Sequence, residues 1–377
     1  MPENNKVGLI QFTILTTVSM TDGIIMLPTM VATVGAISVY AWIETIICVM
    51  ILAYAFAKCG AYSTRSGGLG GYAEYAFGKS GNFIANFTYA IALMIANVGI
   101  AISVVAYSSA FFYANLSPAD AAFLAGLVMI MTTAANFWGT GMTVKLGFTA
   151  MMCKLIPAAI MSICGLYFFD PQIFNAAWNP HHYTVTGAIG AANSFTLWAF
   201  LGLESACSNM DCVVNPRRNV PIAVISATAI IGLFSIIYTT VIQGIVSNSV
   251  LSVSNAPFGD AFAYMYGSLA GRIVTAFMIF CTISPTMVKQ FDVLIQLVTV
   301  DNLVPYVLAM AALDIMQKQA GHNDRMTRMA AVIGGAYSLY ATYQCGMDAV
   351  TAGMMTVLLG YMIYGVYAGQ KPYTGCL

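Results

Sequence analysis

Residues 190–211 read GAANSFTLWAFLGLESACSNMD. The stretch is apolar enough for lipid, yet it carries a carboxylate, Glu204, well inside it. Gly202 and Ser205 flank that residue, and Trp198 lies almost two turns earlier. A carboxylate at membrane depth is costly and by default functional. No basic residue lies near it in sequence, so its partner is a proton or a cationic substrate. Trp198 and Tyr89 offer cation–π faces to an ammonium. The bland readings are a protonated Glu204 bonded between helices and a Trp198 that only packs. A second irregular stretch, TTVSMTDGIIMLP, covers 16–28. Asp22 and Gly23 interrupt it and Pro28 follows; all three residue types weaken helix interiors. Broken helices expose termini that bind charged substrates and ions, whereas a merely kinked helix would leave Asp22 facing a water-filled gap.

Composition supports a membrane setting. Of 377 residues, 59% are hydrophobic and 7% charged, and mean hydropathy is +0.80. A soluble domain carries about 25% charged residues, so this chain could not cover a water-facing surface. Formal net charge is zero, which gives no footprint for nucleic acid. The nine cysteines form no CxxC pair and mostly lie in apolar runs, so they read as core rather than as a disulfide framework or metal site. No cofactor is implied. The short polar N-terminus lacks the pattern of a removable signal peptide.

A spanning helix needs about 20 apolar residues. Ten segments qualify: 8–34, 38–57, 82–112, 119–139, 146–169, 185–209, 221–247, 291–317, 329–346 and 349–368. A weaker one covers 269–284. Lys6, Lys58, Arg65, Lys79, Lys145, Arg217 and Arg218 fall in alternate loops, while 113–118, 170–184 and 248–268 contain no Lys or Arg. The positive-inside rule then makes the N-terminus cytoplasmic. Lys154 lies within a span and can snorkel. Lys318, Arg325 and Arg328 form the next basic loop, which is cytoplasmic only if 269–284 re-enters or does not span. The two interrupted spans, first and sixth, are five apart, as an inverted repeat of five plus five helices requires. The expected fold class is therefore an all-α polytopic membrane protein, an inverted-repeat transporter with broken first and sixth helices. It forms one transmembrane domain over 1–377, with repeats at 8–169 and 185–317 (incomplete near 269–290) and two final helices over 329–368.

The loop 65–81, RSGGLGGYAEYAFGKSG, lacks the spacing of a phosphate-cradling loop. It reads as a cytoplasmic turn followed by an amphipathic stretch near the headgroups. Glu44, Asp292 and Asp301 also lie in or beside spans, without a sequence signal to rank them. The Met and Tyr stripes read as packing and interface residues.

These motifs resemble the amino acid–polyamine antiporters of the amino acid–polyamine–organocation superfamily, in the bacterial branch that exchanges putrescine for ornithine. The matching segments are GIIMLP (23–28), FAKCG (56–60), SGGLGGYAEYAFGKSGNF (66–83), WNPHH (178–182), TLWAFLGLESAC (196–207), NVPIAV (219–224) and APFG (256–259). VPYVLAMAAL (304–313) and AYSLYATY (336–343) are also similar. The resemblance runs nearly end to end. It implies exchange of a cationic amine for a cationic amino acid at a bacterial inner membrane, with or without proton coupling, and it leaves room for a homodimer. Glu204 matches the family's membrane carboxylate and Trp198 an aromatic gate. Tyr89 and Cys59 match positions tied to polyamine handling, and Glu74 a loop acid. Tyr361 and Tyr364 match an aromatic pair on the last helix, with Tyr361 where a Trp is expected.

Two departures stand out. Thr21-Asp22-Gly23 replaces the family's G-S-G turn, which offers backbone N–H groups to a substrate carboxylate. Asp22 would repel that carboxylate and favour a diamine. RIVTAFMIF (272–280) also runs directly into CTISPTMVKQF (281–291), as though a hairpin of about 50–60 residues were missing. The readings that follow are an amine exchanger, for putrescine and ornithine or for a cadaverine/lysine or agmatine/arginine pair, and a non-transporting remnant of the same fold. An intramembrane enzyme is weakly supported, since HExxH, GxSxG and paired catalytic carboxylates are absent.

Overall fold

A computed structural model describes residues 7–20, 27–65, 67–112, 115–136, 140–208, 213–281 and 291–369. Its regular structure is helical. α1 (Leu9–Ser19) and α2 (Leu27–Val34) precede a short 3-10 turn at Ala36–Ser38, which leads into α3 (Val39–Tyr62). Then come α4 (Gly68–Phe112), α5 (Pro118–Asn136), α6 (Thr140–Cys164), α7 (Pro171–Ala176), α8 (Val185–Trp198) and α9 (Leu203–Ser208). The chain continues through α10 (Pro216–Ile245), α11 (Asn248–Leu251), α12 (Pro257–Tyr266), α13 (Ser268–Cys281), α14 (Phe291–Gln319), α15 (Arg325–Gln344) and α16 (Met347–Gly369). An isolated bridge joins Val7 to Val213.

Among the described residues, five helices are long and apolar enough to cross a membrane: α3, α4, α10, α14 and α16. The other expected spans take the following forms among the described residues. The first and sixth are each divided, into α1 with α2 and α8 with α9. The fourth and fifth appear as α5 and α6, whose described apolar portions are shorter. The ninth appears as α15, which opens on Arg325 and Arg328. α13 has 14 residues against the roughly 20 a crossing needs, so as described it is too short to span. It folds back on α12 through Gly267, at φ 89. A side chain on Gly271 would sit 2.6 Å from the Gly259 carbonyl oxygen, so the close crossing requires glycine there.

Gly78, at φ 65 and ψ −160, kinks α4 and separates a short N-terminal helix from the long membrane portion. Arg65 pairs with Glu74 at 3.1 Å and lies 4.4 Å from the Tyr75 ring centroid, which fastens the turn.

The loops sort by charge. Lys58 at the end of α3 meets Asp324 before α15 at 3.9 Å, and the Tyr54 hydroxyl donates to Asp324 at 3.4 Å. Lys318, Arg328 and Asp314 join at the same end. The loops without Lys or Arg meet elsewhere: the amides of Ala36 and Ile37 donate to the carbonyls of Ala177 and Trp178, and Asn248 donates to the Ala32 carbonyl. The core lies around α3, α8, α10 and α14, with Trp42, Phe56, Phe200, Tyr238 and Tyr306 fully buried. The outer face of α16 exposes Met354, Met355, Leu358, Leu359 and Met362, a continuous apolar surface of the kind that lipid covers.

Candidate functional site

The geometry centres on the break between α8 and α9. α8 ends at Trp198, the backbone turns through Phe200 and Leu201, and Gly202 takes φ 110. α9 then starts at Leu203 and presents Glu204 in its first turn. The turn brings the Gly202 amide to 3.2 and 3.1 Å from the two Glu204 carboxylate oxygens. The Tyr89 hydroxyl, from α4, donates to Oε1 at 2.9 Å. The Tyr306 hydroxyl, from α14, donates to Oε2 at 2.5 Å. Glu204 is 2% exposed. Three neutral donors from three chain segments therefore converge on one buried carboxylate.

Tyr306 is itself set by packing. Its ring meets Phe56 of α3 edge-on, with centroids 4.8 Å apart. Cys59, one turn along α3 from Phe56, is buried and turns its thiol to the Ala309 carbonyl at 3.9 Å. Cys207 and Cys59 are electrostatic neighbours, and Glu204 acts on Cys207 as well. The Tyr72 hydroxyl reaches the Cys207 carbonyl at 3.2 Å, tying α9 to the short helical stretch before Gly78.

The structure thus brings Glu204 and Tyr89 together, places Cys59 on the wall beside them, and buries Trp198 at the edge of the break, 6% exposed. Three other expected residues stand apart from the Glu204 hydrogen bonds. Glu74 is held by Arg65 and by Asn82, whose amide donates at 2.7 Å. Tyr364 packs on Phe83, centroids 5.4 Å apart, and Tyr361 is 49% exposed on α16. Asp22 and Gly23 lie outside the described residues. Tyr306 was not singled out from sequence; it sits in the family-like segment VPYVLAMAAL, but nothing in its spacing marks it. Among the described residues no group of three His, Cys, Asp or Glu could hold a metal.

Two further carboxylates lie in the helices. Glu44 on α3 is half-buried, with the Thr45 hydroxyl at 3.5 Å and the Cys48 thiol at 3.9 Å. Asp301 on α14 is fully buried. The side chain of Asp292 lies outside the described residues.

A divided helix presenting a donor-bound carboxylate at the centre of an apolar bundle is the arrangement of a secondary transporter. The amino acid permease family model matches residues 7–297, and the chain belongs to that family. It is therefore a multi-pass transporter-family protein of the bacterial inner membrane. The putrescine transporter PotE of Escherichia coli (strain K12) is 41% identical to it, covering 97% of this chain and 96% of that protein. The putrescine transporter PotE of Haemophilus influenzae is 40% identical, covering 96% and 97%. A cadaverine/lysine antiporter of Escherichia coli (strain K12) is 32% identical over 75% of this chain and 64% of its own length. The first of these alignments runs over 423 positions against 377 residues here, so at least 46 positions (423 less 377) face a gap in this chain. That is the size of a helical hairpin with its loop.

Proposed function

We propose that the chain exchanges a cationic diamine, putrescine, for a basic amino acid, ornithine, with Glu204 as the carboxylate that receives an ammonium. The observation that carries the reading is the cluster of Tyr89, Tyr306 and the Gly202 amide around a Glu204 buried at a helix break. The 40–41% identical relatives are putrescine transporters, which supports the diamine half of this reading. In this mechanism an arriving ammonium pairs with Glu204 and the phenols re-aim their hydroxyls. Trp198 and Tyr89 cover the cation with aromatic faces, which offsets part of its desolvation. Asp22 favours a second ammonium over a substrate carboxylate, so the site prefers the diamine. Rocking of one bundle against the other then alternates access. The basic loops that share one end of the bundle support a cytoplasmic N-terminus.

The test is counterflow of labelled putrescine in proteoliposomes, with Glu204→Gln beside the parent chain. Exchange lost in the variant is expected; exchange retained at full rate would overturn the assignment of Glu204. Unlabelled ornithine should compete less well than unlabelled putrescine, and equal competition would remove the role given to Asp22. A second reading is favoured by the shortfall of at least 46 aligned positions: a chain that binds the amine but does not move it. Saturable, Glu204-dependent putrescine binding without counterflow would mark that case.

A further inference from the structure

Asp301 is a second buried carboxylate, and its surroundings differ from those of Glu204. It is 0% exposed, and neither of its oxygens has a hydrogen-bond partner. The polar side chains next to it on α14 are committed to their own helix: Thr299 bonds the Ile295 carbonyl at 2.7 Å and Asn302 the Val298 carbonyl at 2.8 Å. Across the interface stands α16. A side-chain carbon on Gly353 would sit 3.4 Å from Asp301 Oδ1 and would collide with the Val300 side chain. The glycine is what lets the two helices close over the carboxylate.

The Thr356 hydroxyl, three residues along α16, acts on Asp301 but gives its own hydrogen bond to the Ala352 carbonyl at 3.3 Å. Cys345 shares the small apolar cluster of Val300 and Ala349 and turns its thiol to the Ala341 carbonyl. The helices packed on α14 carry Glu74 and Lys79 (α4), Glu44 and Lys58 (α3), Arg325 and Arg328 (α15) and Asp348 (α16). Among the described residues none of these charges acts on Asp301.

A lone anion in such a place would be prohibitively costly. An alkali cation would need a shell of several oxygens, and one hydroxyl does not make a shell. A proton needs only the carboxyl itself. We propose that Asp301 is a proton site in the interface of α14 and α16, separate from the amine site. Asp301 and Tyr306 are five residues apart on α14, which places them about 140° apart around the helix and about 7.5 Å apart along it. The two carboxylates thus lie toward opposite sides of α14, which carries Pro305 between Asp301 and Tyr306. Loss of the Asp301 proton would push α14 and α16 apart or draw the Thr356 hydroxyl inward, and α14 would carry that change to Tyr306 and so to Glu204. The link to transport rests on the amine-exchange reading; the proton site itself does not.

The experiment is infrared spectroscopy of the purified full chain in lipid nanodiscs, comparing the parent with Asp301→Asn and Asp301→Glu. A protonated-carboxyl C=O band, sensitive to deuterium exchange, is expected in the parent at neutral pH. It should be lost in Asp301→Asn and shifted in Asp301→Glu. A parent spectrum that lacks any component removed by Asp301→Asn would overturn the proposal. So would a band that disappears on adding sodium chloride in place of choline chloride, because the site would then take the cation. If Asp301→Asn does not fold, the band shift in Asp301→Glu decides in the same way. In proteoliposomes, Asp301→Asn should keep putrescine counterflow and lose the stimulation of net uptake by a pH gradient. Retained stimulation overturns the coupling role. A parent chain with no putrescine flux defeats the amine reading alone, and the infrared band still judges the proton site.

Discussion

Glu204 and Asp301 both lie out of solvent in one bundle, 2% and 0% exposed, and both are reached through α14. Glu204 sits where a helix has been cut, so an unpaired amide and two phenols from other helices can reach it. Asp301 sits in the middle of an unbroken helix, where every backbone donor is already used. Cutting a helix supplies donors for a charge; leaving it whole supplies none. On the two proposals above, one fold holds Glu204 for a cationic substrate and Asp301 for a proton, with no difference in side-chain chemistry beyond one methylene.

The largest effect that tests this contrast comes from neutralising each acid. Glu204→Gln should raise the half-saturating putrescine concentration by about a hundredfold or more. Truncating one member of a buried charge pair costs about 2–5 kcal/mol, and each 1.4 kcal/mol is about tenfold. Asp301→Asn should leave that concentration nearly unchanged. Equal losses in the two variants would erase the distinction between anion and neutral acid. Next is the donor shell. Tyr306→Phe removes a fully buried hydroxyl from a charged acceptor, worth about 1.5–3 kcal/mol, and should weaken putrescine about tenfold to a hundredfold in the same assay. Tyr89→Phe should weaken it less, because Tyr89 is only half-buried and water can replace its hydroxyl.

Smaller again is the backbone of the break. Gly202→Ala forces a side chain into positive φ at about 1–3 kcal/mol. It should lower the thermal unfolding midpoint in detergent; an unchanged midpoint would mean that the turn relaxes freely.

The smallest effect lies at the charged end. The Thr327 hydroxyl, then the Met326 amide and Lys58, hold the Asp324 carboxyl below its usual range. A depressed folded value means that this group stabilises the fold above the unfolded value of about 3.9 and loses that contribution as pH falls through the folded value. Thr327→Val should therefore be slightly less stable than the parent at neutral pH. The two unfolding curves should converge in strong acid, and a gap that widens there would reverse the sign.

Much of the fold was legible because hydropathy and interruption are both written in sequence. A broken sixth span and its carboxylate could be read from residues 190–211, and Tyr89 as an aromatic face, though not as the Glu204 hydrogen-bond partner. The turn in the 65–81 segment was read from its glycines, but the kink at Gly78 was not. The division of the first and sixth spans was legible too, from Asp22, Gly23 and Pro28 in the one and from the residues around Glu204 in the other. Tyr306 was missed because one tyrosine among 21 has no local mark when its partner is 102 residues away. Asp301 could be seen but not ranked, since what distinguishes it is the packing of α16 over it. Tyr361 and Tyr364 run the other way. Motif position suggested a substrate role, while the geometry puts one of them half in the open and the other on Phe83.

Gly202 has one more consequence. Its φ of 110 suits a mirror-image residue as well as it suits glycine, because the clash that excludes ordinary side chains depends on chirality rather than size. A D-alanine placed there by chemical ligation would keep the amide that Glu204 accepts from, while L-alanine of identical volume would strain it. Stereochemical sense and empty space are two separate requirements at position 202, and the two enantiomers of one small residue should separate them within a single protein.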